Sequence, residues 1–222
     1  MKHVLKPISL ALISLFLTAG IAQARLEPKQ YSGFLGDYSR LEAGPKEGVA
    51  RRYIKPGVDF KKYKKVMLDH VVFYFRADAK NKGIDADEMK ELADKFHRAV
   101  IDALGDAYPL VGVPDPDVMR VRVAITDMEL PNRGLNTITT IIPAGLLIST
   151  VKRGATGKGS FVGEISMEFE VLDAATNKRI AAGVDRRAGG KMDSMSKFGT
   201  AEDAFKFWAQ RLRAWLDEVH AQ

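Results

Sequence analysis

Between Gly159 and Gly190 the chain alternates, turns and alternates again, and the rest of the fold is arranged around that stretch. Phe161, Gly163, Ile165, Met167, Phe169 and Val171 fall on one side of an extended backbone, and Glu164, Ser166, Glu168 and Glu170 on the other. A period of two marks a strand with one buried and one wet face. Asp173 to Lys178 supplies a turn, and Arg179 to Arg187 returns. On the wet face, Glu164, Glu168 and Glu170 are expected across from Arg179 or Arg186 as solvated pairs. Each such pair is worth a few tenths of a kcal/mol, up to about 1. Acids in that setting are poor general acids or bases, because the chemistry needs burial or a cleft.

Other elements flank this hairpin. Lys64 to Phe75 has apolar residues on both sides, which predicts a central strand covered on both faces. Asp85 to Gly105 predicts a helix. Asp85 and Glu88 stand at capping-box spacing, Met89, Leu92, Phe96, Val100 and Leu104 form one stripe, and Gly105 suits the C′ position. Pro109 to Val113 reads as a short strand. Val118 to Leu130 reads as a longer, half-exposed one. Val121, Val123, Ile125 and Asp127 lie on one side of it, and Arg120, Arg122, Ala124, Thr126 and Met128 on the other. Thr200 opens a last helix whose stripe is Phe205, Trp208, Leu212, Trp215 or Leu216, and Val219. The order predicts an α/β (α+β) fold. It is a single-domain two-layer sandwich with a mixed or antiparallel sheet and two main helices packed on it.

The first 24 residues read as a secretory signal peptide. Lys2 and Lys6 give a basic start, Ile8 to Ala22 is apolar, and Ala22-Gln23-Ala24 is a small-x-small cleavage site ahead of Arg25. Residues 25–57 read as an N-terminal arm and residues 58–222 as one α/β domain. There is no cysteine, hence no disulfide and no lipid-attachment thiol. The expected product is exported, and either periplasmic or peripherally attached to the outer membrane. No transmembrane segment is expected after cleavage. Net charge is +6, and losing Lys2 and Lys6 with the leader leaves +4. That charge is spread along the chain, which argues against a nucleic-acid partner.

Two stretches stand out as candidate surfaces. Tyr31-Ser-Gly-Phe-Leu-Gly-Asp-Tyr38 spaces its aromatics too closely for a helical stripe, so Tyr31, Phe34, Leu35 and Tyr38 are read as anchors onto the body or as a partner surface. Ile138 to Val151 is apolar but interrupted by Pro143 and Gly145, too short and broken to span a bilayer. Ile138, Ile142, Leu146 and Leu147 either cover the core or dock a partner. Gly154-Ala-Thr-Gly157-Lys158-Gly159 fails the spacing of a phosphate loop.

Tyr31 to Tyr38, Tyr53 to Phe60 and Tyr63 to Met67 resemble the opening of a bacterial lipoprotein family catalogued as domain of unknown function 3313. Gly163 to Glu170, Leu172 to Lys178 and Asp185-Arg-Arg187 resemble its second half. The resemblance spans nearly all of the mature chain. It implies an envelope protein, and it transfers no catalytic residue. The strand-turn-strand followed by a helix is also similar in topology to envelope accessory domains of the curli-secretion and penicillin-binding-protein-activator kind. Fold analogy alone assigns no function.

The first expectation is therefore a non-enzymatic accessory domain. It works through an envelope protein partner or self-association, and its character is compatible with peripheral membrane contact. The alternative is a small-molecule or lipid-binding module. No cofactor or metal site is expected. A hydrolase fares worst. There is no Gly-x-Ser-x-Gly, no His-Glu-x-x-His and no cysteine nucleophile, and His70, His97 and His220 are isolated in sequence.

Overall fold

A computed structural model describes residue 28 and residues 30–76, 84–129, 163–188 and 199–221. The leader, the Ile138 to Val151 segment and the glycine-rich stretch after it lie outside the described residues.

The hairpin forms as its alternation predicts. Strands β6 (Glu164–Asp173) and β7 (Arg179–Ala188) pair antiparallel. The Asp173 carboxylate closes the turn by accepting from the Thr176 backbone and hydroxyl at 2.9 and 2.8 Å. Asn177 takes a left-handed φ of 54°, which asparagine tolerates better than most residues. β5 (Val118–Glu129) lies beside β6, antiparallel. On the far side of β7 come β2 (Arg51–Ile54) and β1 (Glu42–Ala43), so the N-terminal region contributes strands to the sheet. β3 (Lys65–Leu68) and β4 (Val72–Phe73) both run parallel to β5, which makes the sheet mixed.

Three of the strand readings change. Lys64 to Phe75 is an edge of the sheet rather than its centre, broken between β3 and β4. Beyond it, among the described residues, Pro109 to Val113 adds one bridge, Leu110 to Val66. In β5 a register shift between Ile125 and Asp127 reverses the side-chain parity. Met128 therefore enters the core, 1% exposed, and Asp127 moves to the polar face opposite Ser166.

Helices α1 (Ala86–Leu104) and α2 (Gly199–Ala221) cover one face of the sheet. Asp85 caps α1 by accepting from the Glu88 amide at 2.8 Å, and Gly105 ends it at φ +52°. Leu92, Phe96, Val100 and Leu104 are buried as their spacing predicts, and His97 is exposed. α2 buries Phe205, Trp208 and Leu216, and the Phe205 ring meets Phe96 edge-on at 5.3 Å. Thr200 lies inside α2 rather than before it. No helix among the described residues is long and apolar enough to cross a membrane.

The other face of the sheet is the surprise. Glu168 is 0% exposed and Glu170 4%, where alternation predicts solvated acids. The arm folds over them. Leu35 is buried against Ala182 and Val184, with Phe34, Tyr38, Leu41 and Tyr53 packed around it. The expected arginine partners hold for two of the three acids: Arg179 donates to Glu170 at 2.8 Å and Arg186 pairs with Glu164, whereas Glu168 bonds to the arm instead.

Candidate functional site

Between α2 and the sheet lies an apolar cavity of about 130 Å³. Its floor comes from strand positions that alternation points toward the helices, among them Val121, Val123, Met167, Phe169, Val171 and Ala181. Phe96 and Val100 of α1 close its depth. Its roof is the α2 stripe, Trp208, Leu212 and Trp215, so both tryptophans of the chain line it. Arg52, Arg211 and Glu218 also line it. These three reach solvent while Phe96, Val100 and Trp208 are buried, so the charged groups stand at the open end.

Gly183 makes room for one wall. A Cβ there would meet the Phe169 ring at 2.5 Å and the Arg51 carbonyl at 2.9 Å. The Phe169 ring therefore lies over bare backbone. Gly183→Ala is expected to lower stability by about 1–3 kcal/mol, the usual cost of overpacking, measured as a shifted urea midpoint. An unshifted midpoint would show that the ring moves aside freely.

A buried polar node fixes the roof. Asp185 of β7 points at the helices and is 0% exposed. It accepts from Trp208 Nε1 at 2.7 Å, Arg187 Nε at 2.6 Å and the Ala50 amide at 2.8 Å. Burial pushes its carboxyl up, against the opposing pull of Arg187, Trp208 and the Ala50 amide. Arg187 continues the node, donating to the Gly48 carbonyl at 2.8 Å and lying 3.6 Å over the Phe207 ring. The indole that roofs the cavity is thus held by a hydrogen bond as well as by packing.

On the opposite face the arm is latched by Glu168, which accepts from the Tyr38 hydroxyl and the Ser32 amide, both at 2.6 Å. Burial, then the bond to Glu168, pushes the Tyr38 hydroxyl up to about 12, so it stays a proton donor. Tyr31 stacks on Tyr38 at 4.2 Å. Beside the latch Arg120 grips Asp69 with two 2.8 Å bonds, and Arg122 bridges to Glu170.

At the sheet end near the turn, burial would raise the Asp173 carboxyl. Hydrogen bonds from Lys62, Thr176 and Tyr63 more than offset that and hold it well below the usual carboxylate range. A carboxyl depressed on folding adds stability that is fully present above its unfolded value, about pH 4, and is lost as pH falls through the folded one. Asp173→Asn should flatten the acid limb of stability below about pH 4, read from urea midpoints between pH 5 and about 2.5. A parallel acid limb in the variant would show that other carboxylates carry it.

The candidate residues fall as follows. Tyr38 and Phe34 are half-buried in the arm's packing, and Tyr31 is 44% exposed. Ile138, Ile142, Leu146 and Leu147 lie outside the described residues. A histidine, an acid and a hydroxyl do converge where the Tyr108 hydroxyl meets Asp217 at 3.0 Å and His220 Nδ1 at 2.9 Å. Arg213 ties that group to the α1 C-terminus through the Ala103 and Leu104 carbonyls, which reads as helix-end anchoring. No sequence signal marked the cavity residues: Trp208 and Trp215 fall on the apolar stripe of the last helix, a pattern that any core-facing helix shows.

Relatives place the chain. The uncharacterized lipoprotein YdcL of Escherichia coli (strain K12) is 26% identical over 188 residues, covering 84% of this chain and 83% of that protein. Among solved structures, the PelC dodecamer from Paraburkholderia phytofirmans gives a TM-score of 0.39 at 11% identity, covering 73% of this chain and 95% of that chain. A DUF4136 family protein from Bacteroides thetaiotaomicron gives 0.38 at 8% identity, covering 74% and 94%. A family model matches residues 30–212, from the arm through the hairpin and into α2 as far as Leu212. The chain therefore belongs to the family described as "Protein of unknown function (DUF3313)".

Proposed function

We propose that this chain is a non-enzymatic module of the bacterial cell envelope that holds a small apolar or amphiphilic molecule between α2 and the sheet. The observation that carries the reading is the cavity of about 130 Å³ with apolar walls. An apolar cavity of roughly 150 Å³ stays dry and takes up benzene, so this one suits a single ring or about six carbons of chain. A lipoprotein relative and the leader-like first 24 residues support an exported product, periplasmic or held at the outer membrane.

Trp208 and Trp215 make the test direct. Titration with 8-bromo-octanol should quench tryptophan fluorescence saturably, since bromine quenches on contact. Ala181→Leu, which fills the cavity floor, should remove that quenching with the circular dichroism unchanged. Quenching that stays linear and weak in the unaltered chain would sink the reading.

Contact with an envelope protein or a second copy is the second reading. It is favoured by the rings of Tyr31 and Tyr74, 44% and 48% exposed, with Phe34 6.2 Å from Tyr74. Sedimentation of a Tyr31→Asp/Tyr74→Asp variant tests it: association in the unaltered chain that the variant loses supports it, and a monomer in both removes self-association.

A further inference from the structure

We propose that the molecule held in the cavity carries a monoanionic head, of the carboxylate kind, on a body of one ring or a short alkyl chain, and that Arg52 and Arg211 read that head. The proposal rests on the cavity being a ligand site. Its own support is the charge at the mouth. Several arginines elsewhere in the fold are neutralised by acids: Arg120 by Asp69, Arg76 by Asp127, Arg187 by Asp185, Arg213 by Asp217. Arg52 and Arg211 line the cavity, and neither side chain has an ion-pair or hydrogen-bond partner among the described residues. They approach from two layers. Arg52 stands on β2 opposite Gly183, beside the Phe169 wall. Arg211 stands on α2 one turn before Trp215.

Two guanidinium groups at the end of an apolar slot suit an anion with a greasy tail, because a guanidinium offers a planar fork of donors to a carboxylate. Glu218 is the acid among the lining residues, so the mouth nets one positive charge. A monoanion balances that charge, whereas a dianion leaves the mouth with a net negative charge. The small volume sets the rest: with the head at the mouth, the body inside is short, which suits a free medium-chain acid rather than a bilayer lipid.

The test compares heads on one tail by tryptophan quenching: 8-bromo-octanoate, 8-bromo-octanol and 8-bromo-octylammonium at one ionic strength. Octanoate should bind about tenfold or more tighter than the alcohol, and the ammonium more weakly than either. Unbrominated octanoate should displace the probe better than octyl phosphate, and acetate should not displace it. Arg52→Gln/Arg211→Gln should bring octanoate affinity down to that of the alcohol. Equal binding of acid and alcohol, or a preference that survives the double variant, overturns the head assignment while leaving the cavity reading standing. Octyl phosphate competing better than octanoate overturns the monoanion. Absence of saturable quenching by every probe overturns the cavity reading and the head assignment together.

Discussion

Asp185→Ala should cost about 3–5 kcal/mol, the range for removing one partner of a buried ion pair. That is a large share of the roughly 5–15 kcal/mol by which domains are stable. The side chain is fully buried and takes three hydrogen bonds, from Trp208, Arg187 and Ala50. Its loss takes the Asp185 carboxylate away from a guanidinium that is itself 3% exposed, and leaves the Trp208 indole and the Ala50 amide without their acceptor. Stranded groups are what make such deletions expensive, more than the lost bonds. Hence Asp185→Leu/Arg187→Met should be less damaging than the two single changes summed, by more than about 0.5 kcal/mol of coupling. Urea unfolding of the four proteins reads this, and additive losses would show that Asp185 and Arg187 act separately. Because Trp208 roofs the cavity, the single variant should also weaken probe quenching under conditions where it remains folded.

Glu168→Ala should cost about 1.5–3 kcal/mol, the range for hydrogen bonds to a charged group, because two half-buried donors lose their acceptor. Those donors are the Tyr38 hydroxyl and the Ser32 amide. The effect should be local first. The arm is held to the sheet by this carboxylate, by the burial of Leu35, and by Arg179, which donates to the Leu35 carbonyl at 2.7 Å. Trypsin at Arg40 should therefore cut the variant faster than the unaltered chain, well before global unfolding. Unchanged cleavage would mean that Leu35 and Arg179 hold the arm without the latch.

The hairpin, α1 and α2 were legible because their signals are local: period two, a cap at Asp85, a stripe through Leu92, Phe96 and Val100. The burial of Glu168 was not. An acid on a strand looks the same in sequence whether water or Tyr38 lies above it, and the covering group is 130 residues away. Met128 was misplaced because one bulge residue reverses every side chain after it. The cavity was invisible for another reason. Trp208, Trp215 and Phe169 are residues that fill cores, and whether they leave a gap depends on how three layers fit. Gly183 carried the one sequence trace of it, and a glycine in a strand signals a close approach without saying of what. The Asp185-Arg-Arg187 run marked the family resemblance, yet its role in holding Trp208 follows only from the packing of α2.

The measurement that bears most directly on the cavity as a ligand site is a crystal of the chain soaked in 8-bromo-octanoate, with bromine located by its anomalous signal. The predicted result is one strong peak between α2 and β6, within contact of Trp208 and Phe169. A bromine bound only at the surface, with the space beneath Trp208 empty, would contradict it.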